Sequence, residues 1–303
     1  MITVNNISKK YNEHQALSHV SFKIPSGEIF GLLGPNGAGK TSLIRIINQI
    51  IPSDEGSITI DGEELQRKHI LKVGYLPEER GLYKKMTVAS QLLYFAELRG
   101  LETKDAKRKL DNWLDRLKIT HLKEKKLETL SKGMQQKVQF IAAVIHDPGL
   151  IILDEPFSGF DPVTAEIIKE NILALNQQGA TIIISTHRME SVDELCQSIV
   201  LINKSKKVLE GKVSDIKKAF KDSVFSISYE GKKELLEDNQ KVRILSHSTI
   251  TENEHNLMVK ISEGYKSTDF INELVLRNLS LISYNEVIPS MNDIFIKTVN
   301  NIS

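Results

Sequence analysis

The spacing of apolar positions changes along the chain, and the changes mark its parts. Near the start, Ile2, Val4 and Ile7, then Leu17, Val20, Phe22 and Ile24, predict short strands joined by polar turns. "GEIFGLLGPNGAGKTSLIRIINQI" reads as an apolar strand, a glycine-rich loop and a helix with one apolar face. "SDEGSITIDGEEL" places turns at 54–56 and 61–62 around one strand. Over residues 87–146 the period becomes helical: Leu110, Trp113, Leu114 and Leu117 form one stripe, Val138, Ile141, Ala142 and Ile145 another. "LIILDEP" and "ATIIISTH" are continuous apolar runs of the kind that fill buried parallel strands, with a helix over about 163–178 between them.

Beyond Gly211 the period returns to two in "VFSISYE" and "NLMVKIS". "TDFINELVLRN" is amphipathic, and Ser290-x-x-Asp293 opens a terminal helix. The expectation is two domains: an α/β unit over 1–220, with a helical insert at 87–146, and a small α+β domain over 221–303. Glu252, Glu254 and His255 read as a solvated turn, with a metal site the minor alternative, and "HLKEKKLE" around Lys123–Lys126 as a solvated helix edge. There is no internal repeat and no low-complexity segment.

Composition narrows the function classes. Forty basic residues against 39 acidic ones leave no field that favours nucleic acid or an anionic membrane. The single cysteine, Cys196, excludes an internal disulfide and reads as a buried thiol in a reducing cytosol. "MITVNNISKKY" has no apolar core of signal-peptide type, and no apolar run approaches the roughly 18 residues that span a bilayer. Action at a membrane would therefore run through a partner.

The chemistry centres on residues 34–41. Gly34-Pro-Asn-Gly-Ala-Gly39-Lys40-Thr41 fits G-x-x-x-x-G-K-[ST] between a strand and a helix, the context this phosphate loop requires. Its backbone N–H groups, with Asn36, Gly37, Gly39 and Ser42, cradle phosphates; Lys40 reaches the β- and γ-phosphates, and the Thr41 hydroxyl ligates Mg²⁺. An apolar strand ending in Asp154 sets a carboxylate beside that loop for the metal, and Glu155 follows as a candidate general base. "LSKGMQQK", at 130–137, puts Ser131 and Gly133 at a helix mouth, where free N–H groups and the dipole attract an anion.

With these motifs in this order, residues 1–220 resemble the nucleotide-binding subunit of an ABC transporter. The resemblance implies a P-loop NTPase of ABC type, with a mixed sheet core, an N-terminal antiparallel β subdomain and the helical insert. It implies that Tyr11 stacks on adenine, that "SGFD" ending in Asp161 is the D-loop, and that His187 contacts the γ-phosphate and orients water. It implies a head-to-tail dimer in which Ser131 and Gly133 serve the ATP held by the other copy's Lys40. Separate transmembrane permease subunits would dock at 80–87, leaving the chain cytoplasmic and peripheral on the inner face of the membrane.

Two departures stand out. Lys132 and Met134 replace a glycine and a glutamine of the usual signature, and Glu78 stands where the family carries a glutamine that faces the metal or its water. The stretch "GYLPEERGLY", the signature variant and the appended domain together resemble bacterial export-type ATPases, including sodium-efflux types. A subunit of low turnover that gates assembly with nucleotide is the alternative. A ribosome- or DNA-directed ATPase fits poorly with one phosphate loop and balanced charge.

Overall fold

The computed structural model describes residues 1–79, 81–231, 240–277 and 279–300. The chain divides into two compact units, Met1–Val213 and Ser214–Ser303. The sequence boundary at 220 thus falls seven residues later than this division, at the far end of a helix beginning at Val213.

In the first unit, β1 (Ile2–Tyr11) and β2 (His14–Ile24) pair antiparallel and are longer than the short strands expected. The apolar spacing of three at Val4–Ile7 and Leu17–Val20 has a local cause. Asn6 and His19 take left-handed φ values of 52° and 49°, and the register shifts there, so one extra residue separates core positions. β3 (Ile29–Leu33) leads through the glycine-rich loop into α1 (Lys40–Ile47). β4 (Glu55–Ile60) and β5 (Glu63–Glu64) complete an N-terminal sheet of order β2-β1-β4-β5.

A short α2 (Arg67–Ile70) leads to β6 (Val73–Leu76), and the helical insert follows as α3 (Val88–Leu98), α4 (Thr103–Arg116) and α5 (Lys132–Val144). Between α4 and α5 the expected helix edge is instead two 3₁₀ turns, with Leu122 and Leu127 buried beneath the lysines. β7 (Leu150–Asp154), α6 (Pro162–Gln177), β8 (Thr181–Thr186), α7 (Met189–Leu195), β9 (Ser198–Asn203) and β10 (Lys206–Lys212) finish the unit. The second sheet runs β10-β9-β3-β8-β7-β6, parallel except for β10.

One apolar core joins the sheets and α1: Val4, Leu17 and Phe22 meet Leu32, Ile44, Ile152 and Ile183. Phe22 stacks on Phe30 at 5.7 Å. Each such buried side chain stabilises the fold by roughly 1.5–3 kcal/mol. At Gly74 in β6 a Cβ would sit 2.2 Å from the Ala143 carbonyl, so only glycine lets α5 press its backbone onto the sheet.

α8 (Val213–Ala219) begins at the division, and the second unit contains β11 (Val224–Glu230), β12 (Val242–Thr249), β13 (Glu254–Ile261), α9 (Ser267–Leu276), β14 (Ser280–Glu286) and α10 (Met291–Asn300). Its sheet, β12-β13-β11-β14, is antiparallel, and Ile227, Tyr229, Leu257 and Val259 pack against Phe270 and Leu274 of α9. Ser290 and Asp293 bond each other's backbone N–H in the expected capping box. His255 corrects the solvated-turn reading: it is buried in β13, with Nδ1 3.2 Å from Thr249 Oγ1 and Nε2 3.0 Å from the Gly231 carbonyl.

Candidate nucleotide site

Because β3, β6, β7 and β8 run parallel, their carboxyl ends share one edge of the sheet, where α/β folds bind ligands. Residues 34–41 follow β3, Glu78 follows β6, Glu155 follows β7 and His187 follows β8. With the tip of the β1–β2 hairpin these segments line a cavity of about 370 Å³. Its walls are Tyr11, His14, Ala16, Asn36, Gly37, Gly39, Lys40, Thr41, Ser42, Glu78, Asp154, Glu155 and His187. Another cavity of equal volume, at Ile46, Ile58 and Leu65, has Glu64 as its one ionisable wall residue and offers a phosphate no cation.

The loop geometry follows from its glycines. Gly39 caps α1 at φ 109°, and a Cβ there would meet the Ala16 carbonyl at 2.2 Å. Lys40 is buried, and its Nζ donates to the carbonyls of Gly34 at 2.8 Å and Pro35 at 3.1 Å. Burial lowers its pKa, while the charges of Glu155, Asp154 and Glu78 oppose the shift. Three carboxylates therefore offset part of the cost of burying this lysine's charge in the cavity.

Asp154 is 2% exposed, and its Oδ2 has no hydrogen-bond partner. Burial pushes its carboxyl up; Glu78 and Glu155 add to this, and Ser185 and Lys40 pull the other way. A buried carboxylate oxygen left without a partner calls for a cation. Among the described residues no three His, Cys, Asp or Glu side chains could hold a metal by themselves. The donors at hand, Asp154, the Thr41 hydroxyl, Glu78 and a phosphate, are hard oxygens of the kind that fit Mg²⁺, which keeps water ligands.

Glu155 has a left-handed backbone, φ 50°, stabilised by its N–H donating to the Ser185 carbonyl at 2.9 Å. Its Oε1 accepts from the backbone N–H of His187 at 3.0 Å and lies 2.7 Å from that ring's Nδ1. Thr186 Oγ1 donates to Oε2 at 3.3 Å. The carboxylate is buried, whereas the His187 side chain is 57% exposed toward the cavity mouth.

Three residues singled out in the sequence are not cavity walls: Ser131, Gly133 and Asp161. Ser131 caps α5, accepting from Met134 N–H at 3.3 Å, and Asp161 caps α6, accepting from Thr164 N–H at 3.0 Å. Beyond its chain neighbours and its own helix backbone, a Cβ at Gly133 would come no closer than 3.8 Å to a heavy atom, so packing within the chain does not require that glycine. Sequence reading missed His14 and Ala16; His14 pairs with Tyr11 across the hairpin, and β-ladder register was the signal that could have found it.

The chain has counterparts among known proteins. The family model described as ABC transporter matches residues 17–158, and that of the ATP-binding protein DrrA1-3-like C-terminal domain matches 211–299. The uncharacterized ABC transporter ATP-binding protein YhaQ of Bacillus subtilis is 47% identical over 220 residues, 73% of this chain and 74% of that protein. The chain belongs to the ABC transporter family. Within it, this is an ATP-binding subunit and an ATPase. The linearmycin resistance ATP-binding protein LnrL of Bacillus subtilis is 31% identical across 98% of this chain and 97% of its own length. A solved ATP-binding subunit of an ABC transporter superposes with a TM-score of 0.68 at 30% identity, covering 73% of this chain and 93% of that one. Among the described residues no helix is long and apolar enough to cross a membrane.

Proposed function

We propose that the chain powers an export-type transporter as a head-to-tail dimer bound to separate permease subunits on the inner face of the membrane. The observation that carries this is the pairing of one half-built site with a second piece whose glycine, Gly133, is not required by packing in its own chain. The cavity supplies Lys40, the 34–41 loop, Asp154 and the Glu155–His187 pair, yet covers a triphosphate from one side only. Ser131 and Gly133 form a helix mouth elsewhere, and Gly133 has no packing reason to be glycine. A second copy turned head to tail brings that mouth over the phosphates, where its N–H groups and dipole complete the enclosure. In this reading Tyr11 stacks on the base and Asp161 stands beside the shared site.

Within that site Glu155 takes a proton from the attacking water, and His187 orients the water and the γ-phosphate. Lys40 stabilises charge on the transferring phosphoryl group. Asp154, Thr41 and Glu78 would hold Mg²⁺, which neutralises phosphate charge when bound. Export as the direction rests on the end-to-end match with LnrL, named for linearmycin resistance, which includes the second unit.

The permease dock of this reading is the segment after Glu78. Arg80 lies outside the described residues; beyond it, Tyr83 and Tyr94 are exposed and pack edge to face at 6.1 Å. Balanced charge gives nucleic acid no comparable footprint.

The test compares wild type with Glu155→Gln by size exclusion in Mg·ATP and by phosphate release. Wild type turns over, Glu155→Gln traps an ATP-bound dimer, and adding Ser131→Arg abolishes that dimer. A dimer unaffected by Ser131→Arg sinks the head-to-tail arrangement. If wild type shows no turnover while nucleotide still binds, the gating alternative replaces the export reading.

A further inference from the structure

Helix α5 carries two glutamines four residues apart, and each fastens a loop. Gln135 Nε2 donates to the carbonyls of Leu127 at 3.0 Å and Leu130 at 3.1 Å, holding the strand of chain that delivers Ser131. Gln139 Nε2 donates to the carbonyls of Pro77 at 3.1 Å and Glu79 at 3.2 Å. Those carbonyls flank Glu78, a wall of the nucleotide cavity. Gln139 is 6% exposed, so its two bonds are sheltered from water, and at i, i+4 the two amides share one helix face. The Ser131 cap opens this same helix.

We infer that Gln139 is a positioning residue for hydrolysis: by clamping the Pro77 and Glu79 carbonyls it fixes Glu78 in the cavity and ties it to the helix whose mouth carries Ser131. The inference rests on the shared-site reading above. Glu78 faces the chain's own nucleotide, Ser131 the neighbour's, and the Gln135–Gln139 face makes the two loops move together. A role in loop stability alone differs from this one in measurable ways.

The experiment uses the full chain with Gln139→Met, which fills similar space without a donor, and Glu78→Ala, singly and combined. Losing two neutral hydrogen bonds predicts a kcat about fivefold lower for Gln139→Met. The KM for ATP stays within about twofold, because the phosphate loop is untouched. The double variant is no slower than Glu78→Ala, since Gln139 acts through Glu78. Reductions that multiply, or an unchanged kcat, overturn the inference. If Gln139→Met does not fold, Gln139→Glu keeps the shape, offers only acceptors when ionised, and is read in the same cycle.

Hydrogen exchange gives a readout independent of turnover. Amides over 73–79 exchange about fivefold faster in the Gln139 variant while those of β7 do not change. A wild type without phosphate release would sink the proposed function and leave the clamp standing on this measurement. Unchanged exchange over 73–79 would sink the clamp.

Discussion

Glu155 Oε1 sits between two nitrogens of His187, 3.0 Å from the backbone N and 2.7 Å from ring Nδ1. The carboxylate accepts both, so the ring presents its other nitrogen to the cavity. In the proposed mechanism, base and orienting residue therefore act as one unit. Glu155→Gln should lower phosphate release about 10²- to 10⁴-fold, the range for a positioned general base. His187→Ala should fall by a similar factor, and the double variant should be no slower than the slower single one. Losses that multiply would mean the two act independently.

Asp154 contrasts stability with function. Its raised pKa means that carrying a charge at neutral pH costs the metal-free fold free energy. Asp154→Asn should therefore raise the melting temperature of the nucleotide-free protein and abolish Mg²⁺-dependent turnover. Thermal scans with and without Mg·ATP check both. A variant that melts lower than wild type in the absence of Mg²⁺ contradicts the burial argument.

The glycines at 39 and 133 should separate just as sharply. Gly39→Ala forces a left-handed φ and a 2.2 Å approach to Ala16, and should destabilise by about 2 kcal/mol or more. Gly133→Ala makes only ordinary van der Waals contact, 3.8 Å from the Gly159 carbonyl and the Phe160 ring, so urea unfolding should shift by no more than about 0.5 kcal/mol in the destabilising direction. Gly133→Glu should unfold like wild type yet fail to dimerise in Mg·ATP when combined with Glu155→Gln. Retained dimerisation would remove Gly133 from the shared site.

His146 supplies a pH dependence. Burial, with the charge of Arg99 beside it, pushes the imidazole down to about 4, from 6.5 for a free side chain. As pH falls from about 6.5 toward about 4 the unfolded chain takes up a proton that the folded one refuses, so stability is lost across that window, by up to about 3 kcal/mol. Denaturation midpoints of His146→Phe should be flatter over the same range; an unchanged acid slope would assign it to other groups.

The parts of the fold legible in sequence are those where burial is one-sided or complete. β3, β7 and β8 are buried along nearly their whole length and read as unbroken apolar runs, and the stripes of α4 and α5 face the core at helical spacing. β12 and β14 were not read because they are the edge strands of their sheet, with mixed and partly exposed side chains that blur any alternation. His255 was misread because its neighbours Glu252 and Glu254 are polar. Its burial depends on the Thr249 and Gly231 partners that pairing with β12 and β11 supplies. In the site, the loop, Asp154, Glu155 and His187 follow strand ends and were readable. Gln139 was not, since its partners are backbone carbonyls 60 and 62 residues away.

The bare contact at Gly74 has one more consequence. Backbone lies against backbone there, flanked by the stiff ring of Pro148, with no flexible side chain among the nearest atoms to change rotamer and take up slack. Side-chain seams can slip in small steps, but this one can only hold or part. The inner helix of the insert and strand β6 should thus behave as a single stiff lever, and any swing of the insert must find its pivot beyond that weld.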